Sequence, residues 1–232
     1  MRSAVASGIR TLVGKDRYFR LRTWFDSENS YLRQTKGLIH IGANAGQERE
    51  LYGLFDLEVV WIEPIPAIFE QLRSNLAGFP RQRAYRYLLA DDSREYELHV
   101  ADNDGASSSI LDLSKHQAMW PDIRYTGTIP LKSITLESFI QQEQIPLHRF
   151  DALVLDTQGS ELRILKGGVR ALPNFRFIKV EVPDFEAYEG CCLVGELCSF
   201  LSLHGFRERS RHAFRHVPSI GTYFDIVFER GA

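Results

Sequence analysis

From residue 37 onward, short apolar runs alternate with segments of helical periodicity, and no other feature narrows the fold of this chain as far. Leu38–Gly42 reads as a first strand and Gln47–Phe55 as the start of a helix. Val59–Ile62 is a second strand ending at Glu63 and Pro64, after which Ile68, Phe69, Leu72 and Leu76 recur at helical spacing. Ala84–Ala90 is a third strand, stopped by Asp91 and Asp92. A β-α-β-α-β series of this kind predicts a parallel sheet covered by helices on both faces.

Residues 94–134 interrupt the rhythm. "REYELHV" alternates like a strand, "DNDGASSS" has loop chemistry and "TIPLKSI" reads as a strand again, so an inserted hairpin region is expected. The series then resumes. A helix around Thr135–Gln144 leads to a buried fourth strand at Ala152–Leu155, a helix at Glu161–Ala171 and a fifth strand at Phe177–Val182. Val194–His204 is helical, ended by Gly205 as a C-cap, and Phe206–Phe214 and Tyr223–Phe228 are two more strands around a "PSIG" turn.

A chain of 232 residues, 44% hydrophobic and 25% charged, has enough material for one sizeable core and is short for two. One main domain is expected over 37–232, with residues 1–36 as an N-terminal helical extension. That extension carries eight Lys/Arg against three Asp/Glu and includes Tyr18, Phe19, Trp24 and Phe25. Such a segment either packs on the main domain or docks on a membrane surface or partner. The overall charge of −2 gives no general drive toward nucleic acid. No apolar run reads as a signal peptide or approaches the ~20 residues of a membrane span, so a cytoplasmic protein is expected. Cys191, Cys192 and Cys198 are odd in number and form no C-x-x-C pair, which indicates neither a disulfide framework nor a zinc site.

Ligands of an open parallel sheet bind beyond the carboxyl ends of its strands. Here those positions hold Gly42, Ala43, Asn44 and Gly46 after the first strand, Glu63 after the second, Asp91 after the third, Asp156 after the fourth and Glu181 after the fifth. The two glycines allow a tight turn and a close approach of ligand to backbone. Glu63 stands at the separation from Gly42 where an acid can accept both hydroxyls of a ribose. An adenosine ligand follows. The turn is G-x-x-x-G, so the dinucleotide fingerprint is absent, as is a phosphate-loop lysine.

"IGANAG", "WIEPIP", "GASSSIL", "ITLESF", "LDTQGSELRILKGG" and "VEVPDFEAYEG", in this order, resemble the FkbM family of S-adenosylmethionine-dependent methyltransferases over residues 37–230. The resemblance implies a class I methyltransferase (Rossmann-like) fold: a three-layer α/β sandwich with a mostly parallel seven-stranded sheet and an antiparallel last strand. It places Gly42, Ala43, Asn44 and Gly46 against the amino-acid end of S-adenosylmethionine. Glu63 would then hold the ribose, Pro64 and Ile65 would flank the adenine, and Asp91 or its neighbour Asp92 would meet the adenine amino group. Asp156 would lie near the reacting methyl, with Gln158 beside it. Two positions depart from the family pattern: many relatives have Asp where His40 stands, and Glu where Gln158 stands.

The family typically methylates oxygen on sugars or secondary metabolites, so a small hydroxylated acceptor is the expected partner. An alcohol is a poor nucleophile until a base takes its proton. Asp156 and Glu181 are the first candidates, and burial would have to raise their pKa values for that work. The alternative is a divalent cation held by Asp156, Glu181 and Glu161 or Asp184. His204, His212 and His216 are weaker candidate bases. Arg207, Arg209 and Arg211 alternate, which puts them on one face of a strand, either toward an anionic substrate or as a solvated edge. Ser107, Ser108 and Ser109 either line the acceptor pocket or turn the loop. N-methylation, nucleic-acid methylation and a non-catalytic S-adenosylmethionine-binding domain are the competing readings.

Overall fold

The computed structural model describes residues 29–231. In chain order the regular elements are β1 Gly37–Ile41, α1 Arg49–Leu54, β2 Glu58–Ile62, α2 Pro66–Asn75, β3 Gln82–Tyr85, β4 Leu88–Leu89 and β5 Glu95–Ala101. They continue as α3 His116–Met119, β6 Tyr125–Ile134, α4 Leu136–Gln142, β7 Ala152–Leu155, α5 Glu161–Lys166, β8 Phe177–Pro183, α6 Val194–Leu203, β9 Phe206–Val217 and β10 Gly221–Arg230.

Seven strands form one sheet in the order β3-β2-β1-β7-β8-β10-β9. The first five run parallel, and β10 lies antiparallel to both β8 and β9. The expected α/β sandwich is present, with its last strand reversed. Successive strands build outward from β1 in one direction and then, from β7, in the other. The reversal leaves a crevice between the carboxyl ends of β1 and β7.

Every residue of β1 and β2 is buried, as a central parallel sheet covered on both sides requires. Ile39, Ile41, Leu153 and Ile178 face a core closed by α4, α5 and α6. Leu38, Trp61, Val154 and Phe177 face the opposite core, with Tyr52 from α1 and Leu72 from α2. A 3-10 turn at Ser30–Gln34 adds Tyr31 and Leu32 to that second core, Tyr31 meeting Phe177 edge to face. The part of the N-terminal extension over residues 1–28 lies outside the described residues.

The expected insertion is a hairpin-like pair, β5 antiparallel to β6, with β4 parallel to β6 on the other side. Here the expected third strand is corrected. The main sheet keeps only β3, and Leu88–Leu89 leave it to pair with Ser133–Ile134. The expected helix at Glu161–Ala171 is shorter as well, because it ends at Lys166 ahead of Gly167, where a Cβ would stand 2.3 Å from the Ala90 carbonyl oxygen.

The arginine stripe also differs from expectation. The pairing of β9 with β10 shifts register at Val227/Phe228, which leaves Arg209 as an extra, bulged residue. Arg209 then lies over Phe177 and bonds Glu229 over 2.7 Å, whereas Arg211 lies over Phe224 and bonds Glu208. The two guanidinium groups belong to opposite faces.

Candidate active site

The chain leaves β1 through Gly42, whose φ of 83° is open to glycine. A Cβ there would sit 1.7 Å from the carbonyl oxygen of Asp156, so glycine is what lets the first loop press against the end of β7. Asn44 also takes a left-handed backbone, at φ 44°, and its side-chain oxygen accepts from the N–H of Ala45 and from Gln47. Gly46 turns the loop under itself toward Leu72.

Glu63 ties this loop to the second strand. Its Oε2 accepts from the N–H of Asn44 at 2.9 Å, and its Oε1 from the N–H of Ile65 at 2.9 Å. The side chain is 4% exposed. Burial raises its pKa to about 7 against the opposing pull of the two N–H donors.

These groups border a cleft of about 260 Å³. Gly42, Ala43, Asn44, Glu63, Pro64, Ile65, Asp156 and Gln158 all line it. One end is apolar: Ile65, Leu88 and Leu98 form a small cluster of their own, extended by Ile110. The other end is acidic, with Glu48 and Asp156, and His40 at its floor. The loop at residues 104–108 leans over the cleft, held by the Asn44 side-chain amide donating to the Asp104 carbonyl at 2.9 Å and by the fit of Gly105 against Ile68.

At the acidic end, the Gln158 amide nitrogen donates to Asp156 Oδ1 at 2.7 Å and to Glu181 Oε1 at 3.1 Å. Burial raises the Asp156 pKa to about 7, and Glu181 is pushed well above the usual carboxylate range, first by burial and then by Asp156. Two neighbouring carboxyls in this setting titrate as a pair and hold a proton near neutral pH.

The sequence profile of the Methyltransferase FkbM domain matches residues 40–208. The chain belongs to the FkbM methyltransferase family. The curated 2-O-methyltransferase NoeI of Sinorhizobium fredii is 27% identical over 161 residues, which cover 66% of this chain and 65% of NoeI. Among solved structures, Sp1610 of Streptococcus pneumoniae in complex with S-adenosyl-L-methionine superposes with a TM-score of 0.50 at 13% identity, covering 89% of this chain and 73% of that one. The METTL16 methyltransferase domain gives 0.51 at 10% identity, with coverages of 88% and 65%. At these identities the two structures establish the shared class I methyltransferase fold.

This FkbM chain does not bring every residue singled out from sequence to the cleft. Asp91 is exposed and meets Arg163 over 3.7 Å, because the switch of Leu88–Leu89 into the smaller sheet carries the following residues away. Gly46 supports the loop without lining the cleft, and Glu181 reaches it through Gln158. Glu161 turns inward to accept from the N–H groups of Thr157 and Gly159, and Asp184 accepts from the N–H of Thr222. Among the described residues, no three His, Cys, Asp or Glu side chains converge as metal ligands. His204 packs on Phe200 and His216 bonds Thr222, both away from the cleft.

His40, one of the two expected departures from the family pattern, is buried in an aromatic nest. Its ring stacks on Trp61 at 4.9 Å and its Nδ1 lies 3.1 Å from the Tyr52 hydroxyl. Burial, aided by Lys179, lowers its pKa to about 3, so the ring is neutral. Glu48, which sequence reasoning passed over, lines the same end of the cleft, and burial raises its pKa. Nothing in its sequence setting marks it, since an acid just before a helix is ordinary. Ser108 lines the cleft, whereas Ser109 donates its hydroxyl to the Gln158 carbonyl at 2.7 Å.

Proposed function

We propose that this protein transfers a methyl group from S-adenosylmethionine to a hydroxyl oxygen of a small acceptor, a sugar or secondary metabolite. The observation that carries the reading is the Gln158-bridged pair Asp156 and Glu181 at the acidic end of a cleft whose other end is apolar. That polarity fits the cofactor: a cationic amino-acid and sulfonium portion beside carboxylates, an adenine among aliphatic side chains.

Gly42, Ala43, Asn44 and Gly46 shape the loop for the amino-acid portion, and Glu48 offers the carboxylate that the neutral His40 does not. Glu63 keeps its two backbone donors and has lone pairs left for ribose hydroxyls. Pro64 and Ile65, with Leu88 and Leu98, make the adenine slot; Asp91 has no part in it. When bound, the cofactor supplies an electrophilic methyl carbon. Asp156 orients the acceptor hydroxyl and takes its proton, a task suited to a carboxyl titrating near the working pH. The neighbouring Glu181 favours keeping that proton on the pair, and the Gln158 amide fixes the two carboxyls in place. The remaining requirement is in-line alignment, which loops fixed at both ends can provide.

The net charge of −2 supports a small acceptor over nucleic acid. Among the described residues no helix is long and apolar enough to cross a membrane, and the reading carries a cytoplasmic location with it. It also takes residues 37–232 as one catalytic domain, with residues 1–36 as an extension whose Tyr31 and Leu32 join the core. The test is transfer of labelled methyl from S-adenosylmethionine to a panel of free sugars and glycosides. Incorporation should fall at least a hundredfold in Asp156→Asn. Equal incorporation by the variant would remove Asp156 as the base.

A further inference from the structure

The Gln158 amide works only in one orientation, and the structure shows what sets it. Its two N–H protons point at Asp156 and Glu181 while its Oε1 accepts from the Tyr188 hydroxyl at 2.6 Å. Turned over, the amide would place its oxygen against two carboxyl groups. The Gln158 backbone is fixed as well: φ is 54°, Ser109 bonds its carbonyl, and the adjoining Gly159 packs against Cys191 and Tyr188.

Tyr188 is itself held from outside the parallel core. The segment around it is laced to residues 112–116: Glu189 N–H to Asp112 at 2.9 Å, Ser114 N–H to Ala187 at 2.9 Å and His116 N–H to Ala187 at 3.0 Å, with a bridge between Leu113 and Tyr188. The Tyr188 ring is 1% exposed and packs beside His116.

We infer that Tyr188 is a positioning residue: by fixing the Gln158 amide it sets the ionisation of the Asp156–Glu181 pair, and through the pair the pH at which methyl transfer runs. Only the last link rests on the proposed function. Amide donation favours the ionised pair. Working against it are Glu161 from α5, Glu48 ahead of α1 and Asp225 from β10. Lys179 from β8 is drawn to Asp225 at 3.1 Å and to Glu48. The neutral hydroxyl of Tyr223 on β10 stands near Glu181. Loss of the Tyr188 hydroxyl frees the amide to turn, and the pair then ionises at higher pH.

The test is a carboxyl ¹³C NMR titration of the labelled full chain as wild type, Tyr188→Phe, Gln158→Asn and Tyr223→Phe. Tyr223 is the control, because its hydroxyl is buried with no hydrogen-bond partner among the described residues. Tyr188→Phe should raise the midpoints of the pair by about half a pH unit or more, and Tyr223→Phe should leave them in place. Gln158→Asn keeps a residue that tolerates the left-handed backbone but is too short to bridge; it should raise the midpoints too, and serves if Tyr188→Phe does not fold. Midpoints that superimpose on wild type in Tyr188→Phe, or in Gln158→Asn where only that variant folds, overturn the assignment. A parallel titration with S-adenosylmethionine separates the two ideas: no binding, together with shifted midpoints, would defeat the functional reading and uphold the role of Tyr188.

Discussion

Asn44 donates its backbone N–H to Glu63 Oε2 over 2.9 Å, joining the loop after the first strand to the acid after the second. The contact makes Glu63 both a wall of the cleft and the clasp of its loop. Glu63→Ala should weaken S-adenosylmethionine binding by about 1.5–3 kcal/mol, roughly ten- to a hundredfold in Kd, since a charged acceptor is lost and two N–H donors are orphaned. Isothermal calorimetry checks this; an unchanged affinity would remove Glu63 from the site.

Gly42 allows no Cβ, because its neighbour would be the Asp156 carbonyl oxygen at 1.7 Å and its φ is 83°. Gly42→Ala should therefore lower stability by about 2 kcal/mol or more and separate the first loop from Asp156. Urea denaturation reads the first effect. A variant as stable as wild type would show that β1 and β7 are less tightly joined than described.

The pH dependence of stability has a definite sign. Asp156 has a folded pKa of about 7, above its ordinary value, so its contribution is fully present below the unfolded pKa near 4 and is lost as pH rises through 7. Glu181, also raised by burial and by Asp156, contributes a loss of the same sign. Asp156→Asn cannot ionise there. Its stability relative to wild type should rise from pH 5 to pH 8.5, measured by urea unfolding at the two values. A constant difference would mean that Asp156 ionises normally in the fold.

Much of this architecture was legible because β1, β2 and β7 are buried on both faces, and such strands appear in sequence as mostly apolar runs between turn residues. The same property concealed the third strand's fate. Leu88 and Leu89 are as apolar as strand residues of the main sheet, and no local pattern says that they pair with Ser133 and Ile134 instead. Asp91, just after them, lies outside the cleft lining for the same reason. That Gly42 and Glu63 come together at the cleft was legible because a tight turn and an acid at the end of the next strand leave local marks. Tyr188 and Glu48 left none: their roles come from segments brought together across the fold.

Asp156 and Glu48 also make a prediction about ligand charge. S-adenosylmethionine and its demethylated product share the amino-acid portion, but only the first carries a sulfonium. Glu48→Gln should weaken both ligands alike, whereas Asp156→Asn should weaken S-adenosylmethionine more, by a factor of a few at pH 8. Competitive binding measurements decide this. Equal losses in Asp156→Asn would move Asp156 away from the sulfonium.

The most direct test of the whole account is calorimetric titration of the purified protein with S-adenosylmethionine, with its demethylated product and with NAD. The account predicts saturable, one-to-one binding of the first two and none of NAD. Binding of NAD, or of none of the three, would contradict the assignment of this cleft to S-adenosylmethionine.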